Sequence, residues 1–245
     1  MEQKNKSAAL TMTYAEKQAR AEFKRRTLLS FLASGEVWTT LTVVAQLLNT
    51  TERTALRLLQ SLVAEHLLKV DIGIVPHSNL KLYGITAHGL AVCDTSHDKC
   101  KEFAIGRTNP SFVTHHLQSQ LVRICMERAG WTDFVPGKLL YSKSSKGQKI
   151  PDFLASRPDS KKVAGEIERY CKSPKRMADV IGGHLQQIVA GKYDFVYYFV
   201  PNKAAQQRAF DRVDFVVVDS NKIKLNESHR ARFKIFEIES YKGEM

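Results

Sequence analysis

The chain has 245 residues, 43% of them hydrophobic, with 37 Lys and Arg against 25 Asp and Glu, giving a formal charge of +12 and a pI near 9.5. That apolar content supports one large domain or two ordinary ones; no run approaches the roughly 18–20 apolar residues of a membrane span, and the opening MEQKNKSAAL lacks the apolar stretch of a signal peptide, so a cytoplasmic protein with no membrane span is expected. Cys93, Cys100, Cys125 and Cys171 form no CxxC pair and read as free thiols, with Cys93, His97 and Cys100 lacking a second ligand cluster for zinc, while the excess of Lys and Arg attracts polyanions, nucleic acid first.

Residues 1–13 are polar. Between 14 and 34 the apolar positions Phe23, Leu28, Leu29, Phe31 and Leu32 fit a helix with a basic start, stopped by Gly35. A short helix is expected over 41–48. A third, capped by Thr50 or Thr51, runs to about His66, with Leu56, Leu59, Leu62 and Val63 at helical spacing. Two strands follow at 67–71 and 81–85, joined by a loop holding Pro76, His77 and Asn79. The stretch LYGITAHGLAV, 82–92, leads from the second strand through Thr86 into a new helix. Three helices and a hairpin in this order resemble a winged helix-turn-helix. The resemblance implies that the third helix lies in the major groove with its N-terminal residues at base edges, so that Arg53 and Arg57 contact guanine or phosphate, with Thr51, Thr54 and Gln60 as further contacts. The plainer alternative is a dimerisation or protein-docking module, and residues 1–100 carry only +3 of the charge against +9 for 101–245.

Residues 94–111 are polar, contain Gly106 and Pro110 and have no apolar period. They divide the chain into a DNA-binding domain over 14–95, a linker over 96–111 and a second domain over 112–245. The second domain begins with a helix over 112–130, with Leu117, Leu121, Ile124 and Cys125 on one face. A strand region at 131–140 and a Lys-rich turn at 142–149 come next. After the two runs within 150–175 there is a helix over 176–190. YDFVYYFVP, 193–201, reads as a buried strand, and 213–218 and 232–238 supply two more. The expected fold class is α+β, with a mixed sheet in the second domain.

The segment IPDFLASRPDSKKVAGEIERYCKSPK, 150–175, holds Asp152 in one short apolar run and Glu166 and Glu168 two apart in the next. Residues two apart on a strand share a face, and hairpin pairing of the runs brings Asp152 alongside. Three such carboxylates suit Mg²⁺ or Mn²⁺; the plainer alternative is a solvated edge strand with charged outer residues. The order helix, strand, strand, strand, helix, strand, with Pro151-Asp152 and Glu166-Ile167-Glu168, resembles the catalytic core of the PD-(D/E)XK nucleases, the restriction-endonuclease-like superfamily. The resemblance implies that Asp152 and Glu166 bind a divalent metal. Glu168 stands where the superfamily places a lysine that assists a water nucleophile. It is then either a third metal ligand or a general base, and Lys149, Lys172 and Lys175 are the nearest basic substitutes. The chemistry explains the need: an oxygen nucleophile must reach an anionic phosphorus while negative charge accumulates, and a divalent cation offsets that charge.

The winged helix, the HHLQSQLVRI helix (115–124), the PD strand, GEIERYCKS (165–173) with E-x-E replacing E-x-K, and a later aromatic strand occur in an order that resembles the MobC-type plasmid relaxases, related to the replication–relaxation proteins. This implies site- and strand-specific nicking of double-stranded plasmid DNA at an origin of transfer, with accessory mobilisation and coupling proteins as partners, and with Lys149 and Lys175 holding phosphate. Most relaxases of other families use a tyrosine nucleophile, which makes Tyr170, two residues after Glu168, a candidate. Its alternative is an ordinary strand aromatic packed on a neighbour, as expected for Tyr197 and Tyr198. His116 reads as a capping or packing residue, and His184 and Gln187 as auxiliary site residues on the helix after the acidic strand. Two other functions stay open: a restriction- or repair-type endonuclease cutting both strands, and a non-catalytic winged-helix regulator of plasmid replication.

Overall fold

Thr13 starts the first element: its hydroxyl accepts from the Glu16 amide while the Glu16 carboxylate accepts from the Thr13 amide, a capping box that opens α1 (Tyr14–Phe31). The computed structural model describes residues 12–75, 78–93, 100–141 and 148–245. α1 runs into a π-helical turn, Leu32–Glu36, where Gly35 takes φ 114° and a Cβ would stand 2.8 Å from Leu139. Then come β1 (Trp38–Thr39), α2 (Leu41–Leu47), α3 (Glu52–Ala64) with Thr51 as its cap, β2 (Leu68–Val75), β3 (Ser78–Ile85) and α4 (Ala87–Ala91).

These strands form an antiparallel sheet in the order β1-β3-β2. Both long strands extend further than the sequence indicates, because the ladder goes on satisfying backbone groups past Asp71; Asn79 therefore lies in β3 rather than in a loop, and Pro76 and His77 fall outside the described residues. β1 is too short to leave a period in the sequence and exists because Trp38 and Thr39 pair with Gly84 and Tyr83. Leu28, Leu32, Val44, Leu59, Leu62 and Ile85 make the core beneath this sheet.

Phe103 is buried over Gly84, where a Cβ would lie 2.1 Å from the ring, and its amide donates to Ile85 O at 2.8 Å. α5 (Pro110–Arg128) follows, capped by Asn109. Its Leu117, Leu121 and Ile124 pack into the N-terminal core, while Val122 and Met126 pack against a second sheet. One helix thus closes two cores.

That second sheet is built from β4 (Thr132–Pro136), which is followed by α6 (Gly137–Tyr141), and then from β5 (Phe153–Ser156) and β6 (Lys162–Ile167). α7 (Pro174–Val189), β7 (Phe195–Val200) and α8 (Lys203–Asp211) come next, then β8 (Phe215–Val218), β9 (Asn221–Lys224), α9 (Glu227–Arg230) and β10 (Phe233–Glu237). The order is β10-β7-β6-β5-β4, antiparallel across β4, β5 and β6 and parallel across β6, β7 and β10. α5 covers one face, with Phe153, Val163, Ile167, Tyr197 and Phe199; α7 covers the other, with Ala164, Tyr198, Val200, Ile181 and Leu185. The fold is therefore α+β with a mixed five-stranded sheet.

Several local expectations need correction. Only the first part of 131–140 is a strand, because Gly137 donates to Asp152 O at 2.6 Å and has no room for a Cβ against Pro151 O, so the chain turns there into α6. β8 does not join the main sheet: it pairs with β9 in a separate hairpin that packs on α7 through Val216. α7 begins at Pro174 rather than Arg176, since proline at the first helical position needs no amide donor and Ser173 caps it. None of the four cysteines forms a disulfide, and His97 lies outside the described residues. Among the described residues no helix is long and apolar enough to cross a membrane.

Candidate active site

Gly165 fixes the local geometry. The Phe153 ring lies directly over it, and a Cβ there would stand 2.0 Å from the ring. Phe153 and Gly165 are register partners facing α5, so their neighbours Asp152 and Glu166 face α7. The Asp152 amide donates to Gly165 O at 3.0 Å, and Asp152 Oδ2 accepts from the Ile167 amide at 2.7 Å, which locks the aspartate to the end of β6. β6 is the central strand of the five and Glu166 is 3% exposed, which overturns the reading of a solvated edge strand.

A buried carboxylate needs compensation, and two groups supply it. Lys149 Nζ is 2.6 Å from Glu166 Oε1, and His184 Nε2, on the fully buried His184, is 3.2 Å from the same oxygen. His184 Nδ1 lies 2.7 Å from the Tyr193 hydroxyl. With Nε2 facing a carboxylate, the proton sits on Nε2 and Nδ1 accepts from Tyr193. Burial works to raise the Glu166 pKa, but His184 and the Lys149 ammonium outweigh it and hold the carboxyl down to about 2. Burial lowers the His184 pKa and so favours the neutral ring. The contacts are oblique: Glu166 Oε1, His184 Nε2 and the Tyr198 hydroxyl are buried without a well-directed hydrogen bond. On the other carboxylate, His115 Nε2 is 3.1 Å from Asp152 Oδ2; burial lowers the His115 pKa, but Asp152 outweighs it and the net shift is upward.

Asp152, Glu166, Lys149 and His115 line a cleft of about 740 Å³ at the strand ends, together with Glu168, Arg169, Tyr170, Lys172 and Arg176, while His184 and Tyr193 lie behind Glu166 and outside its lining. Glu168 lies just past β6, its amide donating to Phe199 O at 2.9 Å and its carboxylate ion-paired with Lys172. The structure thus brings Asp152, Glu166, Glu168, Lys149, Lys172 and Tyr170 to one cleft. β6 stops at Ile167, so Tyr170 does not continue a strand face; it is 77% exposed, with the Arg169 guanidinium 5.5 Å from its ring, and is not a packed strand aromatic. Tyr197 and Tyr198 are fully buried. Lys175 is exposed in the first turn of α7 and does not line the cleft.

His116 is a packing residue rather than a cap: it lies inside α5 with its ring 4.3 Å from that of Trp38. It sits in a buried polar cluster, 3.7 Å from Glu36 and 2.9 Å from Gln120 Nε2. Gln187 accepts from Gln148 at 2.7 Å. Arg53, Thr54, Arg57 and Gln60 are exposed on α3, and Thr51 Oγ1 faces the Thr54 hydroxyl at 3.1 Å while capping the helix. Among the described residues no three His, Cys, Asp or Glu side chains stand as a ready group for a metal ion. Sequence reasoning missed His115, Arg169 and Arg176. The pair His115-His116 was visible, but spacing along a helix does not tell which ring meets Asp152. Comparison with known protein families, with curated proteins and with solved structures finds no match.

Proposed function

We propose that this protein is a divalent-metal-dependent DNA endonuclease built on a PD-(D/E)XK-type core. More particularly, we read it as a plasmid relaxase that nicks one strand at an origin of transfer. The observation that carries the proposal is the Asp152–Glu166 pair: two carboxylates on adjoining strand ends, facing the same side, in a cleft lined by Lys149, Arg169, Lys172 and Arg176. The sequence of α5, β4, β5, β6, α7 and β7, with the short α6 inserted between β4 and β5, supports the nuclease reading. The order helix, strand, helix, helix, strand, strand, with β1 on the hairpin, supports a winged helix-turn-helix whose exposed α3 reads DNA through Thr51, Arg53, Thr54 and Arg57. The relaxase reading rests on the ordered motifs of the sequence, and a cytoplasmic location and accessory mobilisation and coupling partners belong to it.

Mg²⁺ or Mn²⁺ fits the site through two carboxylates rather than three. The contacts of Asp152 among the described residues run to Oδ2 and those of Glu166 to Oε1, so Asp152 Oδ1 and Glu166 Oε2 are left as donors, a set that Mg²⁺ ordinarily completes with water and phosphate oxygens. When bound, the cation offsets transition-state charge and lowers the pKa of water. Glu168, tied to Lys172, positions that lysine instead of acting as a third ligand. Lys149 supplies the basic group that the E-x-E motif lacks, and Arg169 and Arg176 hold the phosphate. Lys175 is left to flanking backbone.

The test is a nicking assay on supercoiled plasmid carrying an origin of transfer, with Mg²⁺, Mn²⁺ or chelator. Wild-type protein with metal should convert it to open circle, and Asp152→Ala and Glu166→Ala should not. Activity that persists in Glu166→Ala or in chelator sinks the mechanism, and linear product assigns the site to a double-strand nuclease. Tyr170→Phe decides between the tyrosine and water as nucleophile. One observation favours a second reading, a DNA-binding replication regulator without catalysis: each carboxylate already faces a basic side chain, Lys149, Lys172 or His115. In that case Glu166→Ala would bind and regulate like wild type.

A further inference from the structure

α1 is longer than the core beneath it requires. Residues 14–23 are exposed, and the helix first buries side chains at Leu28 and Leu29. This projecting part extends about 15 Å at the helical rise. Along it, Lys17, Arg20 and Lys24 recur at helical spacing and line one wall of a groove of about 620 Å³, whose other wall is α3 with Thr54, Arg57 and Ser61. Lys24 Nζ lies 3.5 Å from Thr50 Oγ1, which places an ammonium and a hydroxyl together in the groove. No acidic residue is among those lining it. The acidic side chains nearby in sequence are committed elsewhere: Glu16 to the Thr13 cap, Glu52 to the Thr42 hydroxyl, Glu65 to Arg25 and Ser61, and Glu22 to a separate cavity with Arg25 and Arg26.

Four cations and three hydroxyls around one groove, sharing Thr54 and Arg57 with the helix read above as facing DNA, match a phosphodiester backbone. We propose that the groove between α1 and α3 is a second DNA contact, in which Lys17, Arg20 and Lys24 hold the phosphate backbone beside the segment that α3 reads. The inference rests on the DNA-binding reading of α3 and extends it to the projecting N-terminal part of α1, ahead of the turns that pack in the core. A membrane surface fits less well. A helix lying on lipid needs one apolar face, whereas the exposed aromatics of α1, Tyr14 and Phe23, fall on opposite sides of it.

The salt dependence of DNA affinity tests this directly, because each phosphate neutralised contributes a slope of about −0.9 to log K against log salt. Binding of a fluorescent duplex is measured over a series of KCl concentrations for the full chain, for Lys17→Gln/Arg20→Gln/Lys24→Gln, and for Lys203→Gln/Lys222→Gln/Lys224→Gln, which removes equal charge from α8 and β9. The groove variant should bind at least tenfold more weakly at about 0.1 M salt, with the slope reduced by roughly 2 to 3, while the control variant keeps the wild-type slope. Lys17→Gln alone should reduce the slope by about 1. All positions tested in the groove are on the helix surface, and an unchanged melting temperature checks the fold. A wild-type slope in the groove variant, or equal losses in both triple variants, overturns the inference and leaves the nuclease reading standing. Loss of binding to phosphatidylserine vesicles with an unchanged DNA slope assigns the groove to a membrane and also overturns it. If wild-type protein binds no duplex at any salt, the DNA reading itself fails and takes the inference with it.

Discussion

Glu166 is a carboxylate in the middle of a sheet, 3% exposed, and its charge there depends on Lys149 and His184. Lys149→Met takes away the only full positive charge within ion-pair distance of Glu166 among the described residues. We expect that variant to lose about 3 kcal/mol in urea unfolding, with Lys149→Met/Glu166→Gln recovering most of the loss, because an unpaired buried charge costs more than the pair contributes. His184→Ala leaves both the Tyr193 hydroxyl and Glu166 without this partner. A loss of about 1–3 kcal/mol is expected, together with weaker metal dependence of nicking, read as a higher Mg²⁺ concentration at half-maximal rate. An unchanged midpoint in both measurements would remove His184 from the site.

At the scale of elements, α5 decides how the N-terminal core meets the sheet. Arg123 lies between the Phe31 and Phe134 rings, 4.7 Å from each centroid, with Glu36 at 3.0 Å and Glu127 at 2.7 Å. Arg123→Ala should cost about 3–5 kcal/mol, since it strands the buried Glu36, and Arg123→Lys should cost less. Urea midpoints measure both. His116 on the same helix gives the junction a pH dependence. Burial, only partly offset by Glu36, lowers its pKa to about 4. The folded state therefore refuses a proton that the unfolded state accepts below about 6.5, so stability is full above that pH and is lost as pH falls toward 4, by up to about 3 kcal/mol. His116→Gln should flatten the stability profile over this window. A profile that keeps its slope would show that His116 does not set it.

For the whole molecule, the consequence is that the polar stretch around 94–111 does not mark a simple cut. Leu117, Leu121 and Ile124 belong to the N-terminal core, whereas Val122 and Met126 on the same helix belong to the sheet. A fragment of residues 100–245 exposes that apolar face and should associate in size-exclusion chromatography, unlike the full chain. A monomeric fragment with a cooperative melt would show that the sheet and its helices fold without the N-terminal core.

Local features were legible in the sequence because their physics is local. The Leu spacing of α3, the Thr51 cap and the aromatic run of β7 each need only neighbouring residues to be read. The two short runs within 150–175 were enough to place Asp152, Glu166 and Glu168 on adjoining segments. What only the tertiary structure decided depends on residues far apart in the chain. The pairing of β1 with Gly84, the separation of β8 from the main sheet, the end of β6 before Tyr170, the choice of His115 over His116 for Asp152, and Lys149 rather than Lys175 beside Glu166 all arise this way. Such contacts leave no period in the sequence: burial sets which side chains must find partners, but the packed fold alone sets which partner is near.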